Sequence, residues 1–191
     1  QLALVACGIG PGDEVITTPM SYVATSNAIL HVGATPVFVD VEPETGNMDA
    51  TLVEAAITSR TKAILPVHLY GHMVDMIRLR EIASRRKLAI IEDAAHCIEG
   101  QRDGLRPSQA GTMACFSFYA TKNITSGEGG MIATSDPELA ASVRRLRNHG
   151  LDRSALDRHQ SGYSHWNQVE LGFKANMNDI QAAMLRPQLR R

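Results

Sequence analysis

The sequence predicts an α/β protein in which a mostly parallel sheet is flanked by helices. Three observations predict it. Apolar, β-branched runs alternate with amphipathic helical stretches along the chain, the order expected of parallel strands joined by crossover helices. The run Leu88-Ala89-Ile90-Ile91 is apolar without interruption, which suits a parallel strand buried on both faces. The 191 residues, 44% of them hydrophobic, can bury a sizeable core, so one domain spanning residues 1–191 is expected.

The elements follow in chain order. Leu2 to Cys7 has the character of a last helical turn, stopped by Gly8. Val15-Ile16-Thr17-Thr18 is a strand ended by Pro19, after which Ser21 is expected to cap a helix through Ala24, Ala28 and Ile29 that Gly33 stops. Pro36 to Val39 is the next strand, a helix capped by Asp49 is expected over 49–57, and Ala63 to Val67 is a third strand. His68-Leu69-Tyr70-Gly71 is the turn beyond it. Asp75 opens a helix with Ile77, Leu79, Ile82 and Ala83 on one face, and strand 88–91 ends at Glu92-Asp93. Residues 115–119 and 131–134 are two further strands around a turn at 126–130. Asp136-Pro137-Glu138 starts a long helix to Asn148, 152–168 is a polar exposed loop, and Asp179 to Leu185 is a final helix. With no initiator methionine and an opening inside a helical turn, the chain reads as a fragment.

Composition narrows the partners. Nineteen basic residues against twenty acidic ones leave a net charge of −1, without the electrostatic footprint of a nucleic-acid or anionic-membrane binder. Cys7, Cys97 and Cys115 are odd in number, far apart and without CxxC spacing, which argues against a disulfide framework or zinc site and fits a reducing cytoplasm. No metal is expected. No run has the apolar length of a membrane span, and the start lacks the form of a signal peptide.

In open α/β sheets ligands sit beyond the carboxyl ends of the strands. Asp93 stands there, directly after an apolar run, where an unpaired carboxylate is costly and a cationic partner is expected. A protonated pyridine nitrogen is one candidate; a structural ion pair or a helix cap through Ala94-Ala95-His96 is the other. Lys122 follows strand 115–119 and precedes Gly127-Glu128-Gly129-Gly130. Partial desolvation there would favour the neutral amine that Schiff-base chemistry needs, whereas a solvated loop lysine is the plain alternative. Ser117 and Thr121 offer hydroxyls to a phosphate. A reading of Gly8-Ile9-Gly10-Pro11-Gly12 as a dinucleotide loop is set aside, because it precedes a strand where that fingerprint follows one.

Taken together, Glu92-Asp93-Ala94-Ala95-His96, the segment Phe116 to Asn123, and Gly127-Glu128-Gly129-Gly130 resemble, in order and spacing, the signature of the DegT/DnrJ/EryC1/StrS aminotransferases. Gly8 to Val15, His68-Leu69-Tyr70-Gly71 and Asp179 to Ala183 resemble further blocks of that family, so the likeness spans nearly the whole chain. The resemblance implies the large cofactor-binding domain of a fold-type-I transferase dependent on pyridoxal 5'-phosphate. It implies that Lys122 carries the cofactor as a Schiff base and that Asp93 pairs with the pyridine nitrogen. It further implies His96 near the ring hydroxyl, Ser117 on the phosphate, and the ring of Tyr22 stacked on the pyridine. Lys174, where the family more often has asparagine, is implied to reach the phosphate of a neighbouring subunit as a cation.

The same resemblance implies amino transfer from an amino acid, usually glutamate, to a keto sugar attached to a nucleotide, in a cytoplasmic homodimer. A lysine at position 122 argues against the family's dehydratase branch, which has histidine there. The family's upstream phosphate-binding block and its smaller C-terminal domain are not found within these residues, so a non-catalytic cofactor-binding module is the competing reading.

Overall fold

The computed structural model describes residues 1–153 and 165–190. Six strands form one sheet: β1 (Glu14–Thr17), β2 (Thr35–Phe38), β3 (Thr61–Ile64), β4 (Ala89–Asp93), β5 (Met113–Ser117) and β6 (Gly130–Ala133). Their order is β2-β1-β3-β4-β5-β6. Every pairing from β2 through β5 is parallel, and β6 closes the sheet antiparallel to β5. The expected mostly parallel sheet is therefore present.

Alternation along the strands builds two cores. Ile16, Ile64, Ile90 and Ala114 point to one face, where Leu79, Ile82 and Ala83 of helix α3 (Met76–Arg86) meet them. Val15, Ala63, Ile91 and Met113 point to the other, against helices α1 (Leu2–Ala6), α2 (Ala24–His31) and α4 (Pro137–Leu146). Successive strand residues face opposite ways, so a strand apolar at every position requires cover on both faces. Ile90 and Ile91, 3% and 2% exposed, meet that condition.

The helix starts follow their capping residues. Asp75 accepts from the Arg78 amide at 3.0 Å, and Asp136 from the Glu138 amide at 2.8 Å with Pro137 in the first turn. Asn178 and Gln181 form a reciprocal capping box at the start of helix α5 (Asp179–Gln188).

Several expectations are corrected. The helix expected over 49–57 is a run of turns with one 3-10 turn, Glu54–Ala56. Asp49 does accept from the Thr51 amide at 2.8 Å, but Ala50 and Val53 are buried while Leu52 is exposed, a spacing of three that suits the tighter helix. Ser21 does not cap α2, since Val23 holds the N-cap position without a side-chain bond. Its hydroxyl is engaged by Thr25 at 2.7 Å instead. Strand β5 lies at 113–117 rather than 115–119, because the Phe118 amide turns to the Gly129 carbonyl as the hairpin closes. β3 ends at Ile64 rather than Val67, just before Pro66, which has no amide to donate. α4 stops at Leu146. Of the loop expected over 152–168, residues 154–164 lie outside the described residues, and the Gln168 backbone bridges Leu151.

Candidate functional site

Four loops leaving the carboxyl ends of parallel strands converge on one open cleft of about 990 Å³. The segment after β1 brings Ser21, Tyr22 and Thr25; that after β3 brings Leu69 and Tyr70; β4 ends in Asp93 and leads to His96; β5 ends in Ser117 and leads to Thr121 and Lys122. This is the place where the topology of an open α/β sheet positions ligands. Six of the seven residues singled out from sequence, Tyr22, Asp93, His96, Ser117, Thr121 and Lys122, line this one cleft.

Asp93 sits at the last position of β4, its backbone tied to Pro66 and His68 of the neighbouring segment. One carboxylate oxygen accepts from the Thr25 hydroxyl at 2.7 Å and the other from the Ala95 amide at 3.1 Å. Among the described residues no Lys, Arg or His forms an ion pair with it. The carboxylate is thus fixed by neutral donors, and its charge remains available to a cation in the cleft. The alternative of a structural ion pair is not what the fold provides; the bond to Ala95 is a local turn contact, compatible with a ligand on the open side.

Lys122 is half-buried, and its amine has no hydrogen-bond or ion-pair partner among the described residues. Its loop is pinned where the Lys122 amide donates to the Tyr119 carbonyl at 3.0 Å and the Ser126 amide to the Phe118 carbonyl at 3.0 Å. His96 lies nearby. Burial, the Lys122 ammonium second, pushes its pKa down from the ordinary histidine value, against an opposing pull from Asp93. Its Nδ1 faces the Tyr70 amide at 3.4 Å, and its ring stacks on that of Tyr70 with planes 6° apart. Tyr22 presents a ring that is 76% exposed at the cleft wall, an aromatic face free to stack on a planar ligand. The Ser117 hydroxyl accepts from the Tyr119 amide at 3.3 Å and keeps its proton for a ligand oxygen.

Lys174 does not join the cleft; its amine donates to the Asn176 side chain at 3.1 Å on an exposed stretch beyond α4. Sequence reasoning missed Thr25 and Tyr70. Nothing local marks Thr25, since its partner Asp93 is 68 residues away. Tyr70 had a signal in the adjoining Gly71: both take positive φ, 52° and 86°, and a non-glycine residue held there is a strained position of the kind that clusters at ligand sites.

Beneath the cleft, His68 and Glu92 form a fully buried pair at 2.8 Å. Glu92 also accepts from the Ser108 and Gly111 amides at 3.0 and 3.1 Å. Among the described residues no group of three or more His, Cys, Asp or Glu side chains is placed to hold a metal ion, and no helix is long and apolar enough to cross a membrane.

Comparison with known proteins matches this geometry to a family. Residues 1–191 match the model of the DegT/DnrJ/EryC1/StrS aminotransferase family. The chain is 48% identical over 191 residues to GDP-perosamine synthase of Caulobacter vibrioides, covering all of this chain and 49% of that protein. It superposes on the structure of S. venezuelae DesV in complex with a ketimine intermediate with a TM-score of 0.88 at 46% identity, covering 99% of this chain and 48% of that one. On NtdA from Bacillus subtilis, with bound cofactor PMP, the TM-score is 0.86 at 37% identity, over 99% of this chain and 41% of that one. The chain spans about half the length of the curated relatives it matches.

Proposed function

Given that the chain belongs to the DegT/DnrJ/EryC1/StrS aminotransferase family, we propose that it is the cofactor-holding part of a pyridoxal-phosphate-dependent aminotransferase acting on nucleotide-linked keto sugars. The observation that carries this reading is the pairing, in one cleft, of a lysine amine without a partner among the described residues and a carboxylate held there by neutral donors, Lys122 and Asp93. The donor set fits the cofactor. Lys122 would hold its aldehyde carbon covalently, Asp93 its protonated ring nitrogen, Ser117 its phosphate, His96 its ring hydroxyl, and Tyr22 one face of its ring. Lys174 would reach the phosphate in the second subunit of a homodimer.

When bound, the cofactor supplies an electron sink for the carbanion left by removal of a proton beside the transferred amine. The chain's own residues do the rest. Asp93, held in place by Thr25 and Ala95, would keep the ring nitrogen protonated. The Lys122 amine would serve as the base that takes that proton and as the acid that returns it to the carbon on the other side of the transferred nitrogen. Neutral His96 can donate or accept a hydrogen bond without adding a second positive charge beside Lys122. The amino donor under this reading is glutamate and the acceptor a nucleotide-linked keto sugar; likeness to GDP-perosamine synthase, named for a nucleotide-linked sugar, supports the acceptor class.

Borohydride reduction of the full-length gene product loaded with pyridoxal phosphate, followed by peptide mass spectrometry, tests the reading. A reduced adduct on Lys122, together with glutamate-dependent bleaching of the visible band, is the expected result. Absence of an adduct from both the full-length product and residues 1–191 would overturn it. The half-length span of the chain also favours examining a second reading, a cofactor-binding module without turnover, for which an adduct on Lys122 without bleaching is the signature.

A further inference from the structure

The Thr25 hydroxyl makes two short contacts, one to the Asp93 carboxylate at 2.7 Å and one to the Ser21 hydroxyl at 2.7 Å. A hydroxyl has one proton. An ionised carboxylate can only accept, so the Thr25 proton is committed to Asp93. Ser21 must then donate to Thr25, and the chain of donors runs in one direction, Ser21 to Thr25 to Asp93. Thr25 is 4% exposed, in the first turn of α2, while Ser21 lines the cleft.

Hydrogen bonds in series polarise one another, and a donor aimed at a carboxylate favours its charged form and fixes its direction. We infer that Ser21 and Thr25 form a directional relay that fixes the position and direction of the Asp93 carboxylate, making both of them positioning residues for the cofactor's ring nitrogen. This rests on the reading of Asp93 given under Proposed function. It also accounts for a local anomaly: Ser21 stands where a helix cap is expected, yet leaves the first amides of α2 without a side-chain cap. Its hydroxyl serves the site in place of the helix.

The two members have unequal parts. Removing the Thr25 hydroxyl takes the donor away from Asp93 outright. Removing the Ser21 hydroxyl leaves that donor in place and only weakens it.

The test uses the full-length gene product carrying Thr25→Val, Thr25→Ser or Ser21→Ala, with two readouts: the Kd for pyridoxal phosphate and the pH midpoint of the bound cofactor's visible absorbance. Thr25→Val keeps the shape and loses the hydroxyl, and is expected to weaken binding about tenfold or more, the worth of one hydrogen bond to a charged group. The midpoint should move to higher pH, because a carboxylate no longer aimed at the ring nitrogen holds its proton less well and the lysine linkage then becomes more basic. Thr25→Ser should stay near wild type. Ser21→Ala should shift the midpoint the same way by a smaller amount, and being at the cleft rim it reports even if Thr25→Val does not fold.

Weaker binding with unmoved midpoints in Thr25→Val and Ser21→Ala would reduce both residues to packing and overturn the relay. Wild-type affinity and midpoint in Thr25→Val would overturn it as well. A wild-type protein that captures no cofactor would instead sink the reading of the site and the relay with it, and that outcome is separate because it appears before any substitution is made.

Discussion

The His68 imidazole donates from Nε2 to the Glu92 carboxylate at 2.8 Å, with neither side chain exposed. The direction is set from the other side of the ring, where Nδ1 accepts from the Val74 amide at 3.2 Å. Glu92 precedes Asp93 on β4 and points to the opposite face of the strand, so this pair underlies the cleft rather than lining it. It ties β4 to the segment after β3 and, through the Ser108 and Gly111 amides, to the loop before β5.

Glu92→Ala removes the acceptor of three donors, the buried His68 Nε2 and the part-buried amides of Ser108 and Gly111. A loss of about 2–5 kcal/mol is expected, since each donor left without an acceptor away from water costs about 1–3 kcal/mol. Urea unfolding of the full-length product measures it. A loss below about 1 kcal/mol would mean that water or a rearranged loop satisfies these donors.

The titration of His96 depends on Lys122. Burial lowers its pKa first and the Lys122 ammonium second, so Lys122→Met should move the midpoint upward toward the ordinary histidine value, as read from imidazole proton shifts by NMR. The sign for stability follows. With the folded value below the unfolded one, the unfolded chain binds more protons in the window between them. The His96 contribution is intact above the ordinary histidine value and declines as pH falls through it toward the lowered one. Replacing His96 by Gln should flatten that acid-side decline, measured by thermal unfolding in buffers spanning the window.

Asp93→Asn preserves shape but removes the charge that faces the cleft. Amino transfer should fall by about 10²–10⁴-fold, the range spanned by loss of a proton-positioning group. The Lys122 adduct should still form on borohydride treatment. An Asp93→Asn protein that turns over at the wild-type rate would show that the ring nitrogen needs no partner at this position.

All three thiols should be sluggish. Burial, the first cause at each, pushes Cys7, Cys97 and Cys115 up to about 11. At pH 8 only about 0.1% of each is thiolate. Labelling with a disulfide reagent should therefore be slow in the folded protein and immediate in denaturant. A rapidly labelled cysteine would place that residue outside its packed position.

Most of the sheet and its helices was legible because each depended on nearby residues: alternation in the strands, Asp75 and Asp136 as caps, the unbroken run before Glu92. Where reading failed, a distant partner had decided. Ser21 has the chemistry of a cap, but Thr25 lies within reach and is itself drawn to Asp93. Segment 49–57 has helical composition, but contacts three residues apart favour the tighter turn at Glu54–Ala56.

By itself the sequence determined which residues are candidates for the chemistry and where along the chain they fall, because residue type and order are local properties and the blocks around Asp93 and Lys122 are distinctive. It also determined that β4 must be covered on both faces. Only the tertiary structure decided that the segments after β1, β3, β4 and β5 meet in one cleft, that the Asp93 carboxylate is held by a hydroxyl and an amide with no cation paired to it among the described residues, and that Lys174 lies elsewhere. The physical reason is that hydrogen-bond partners and burial are set by which strands become neighbours, and the order β2-β1-β3-β4-β5-β6 brings together residues far apart in the chain.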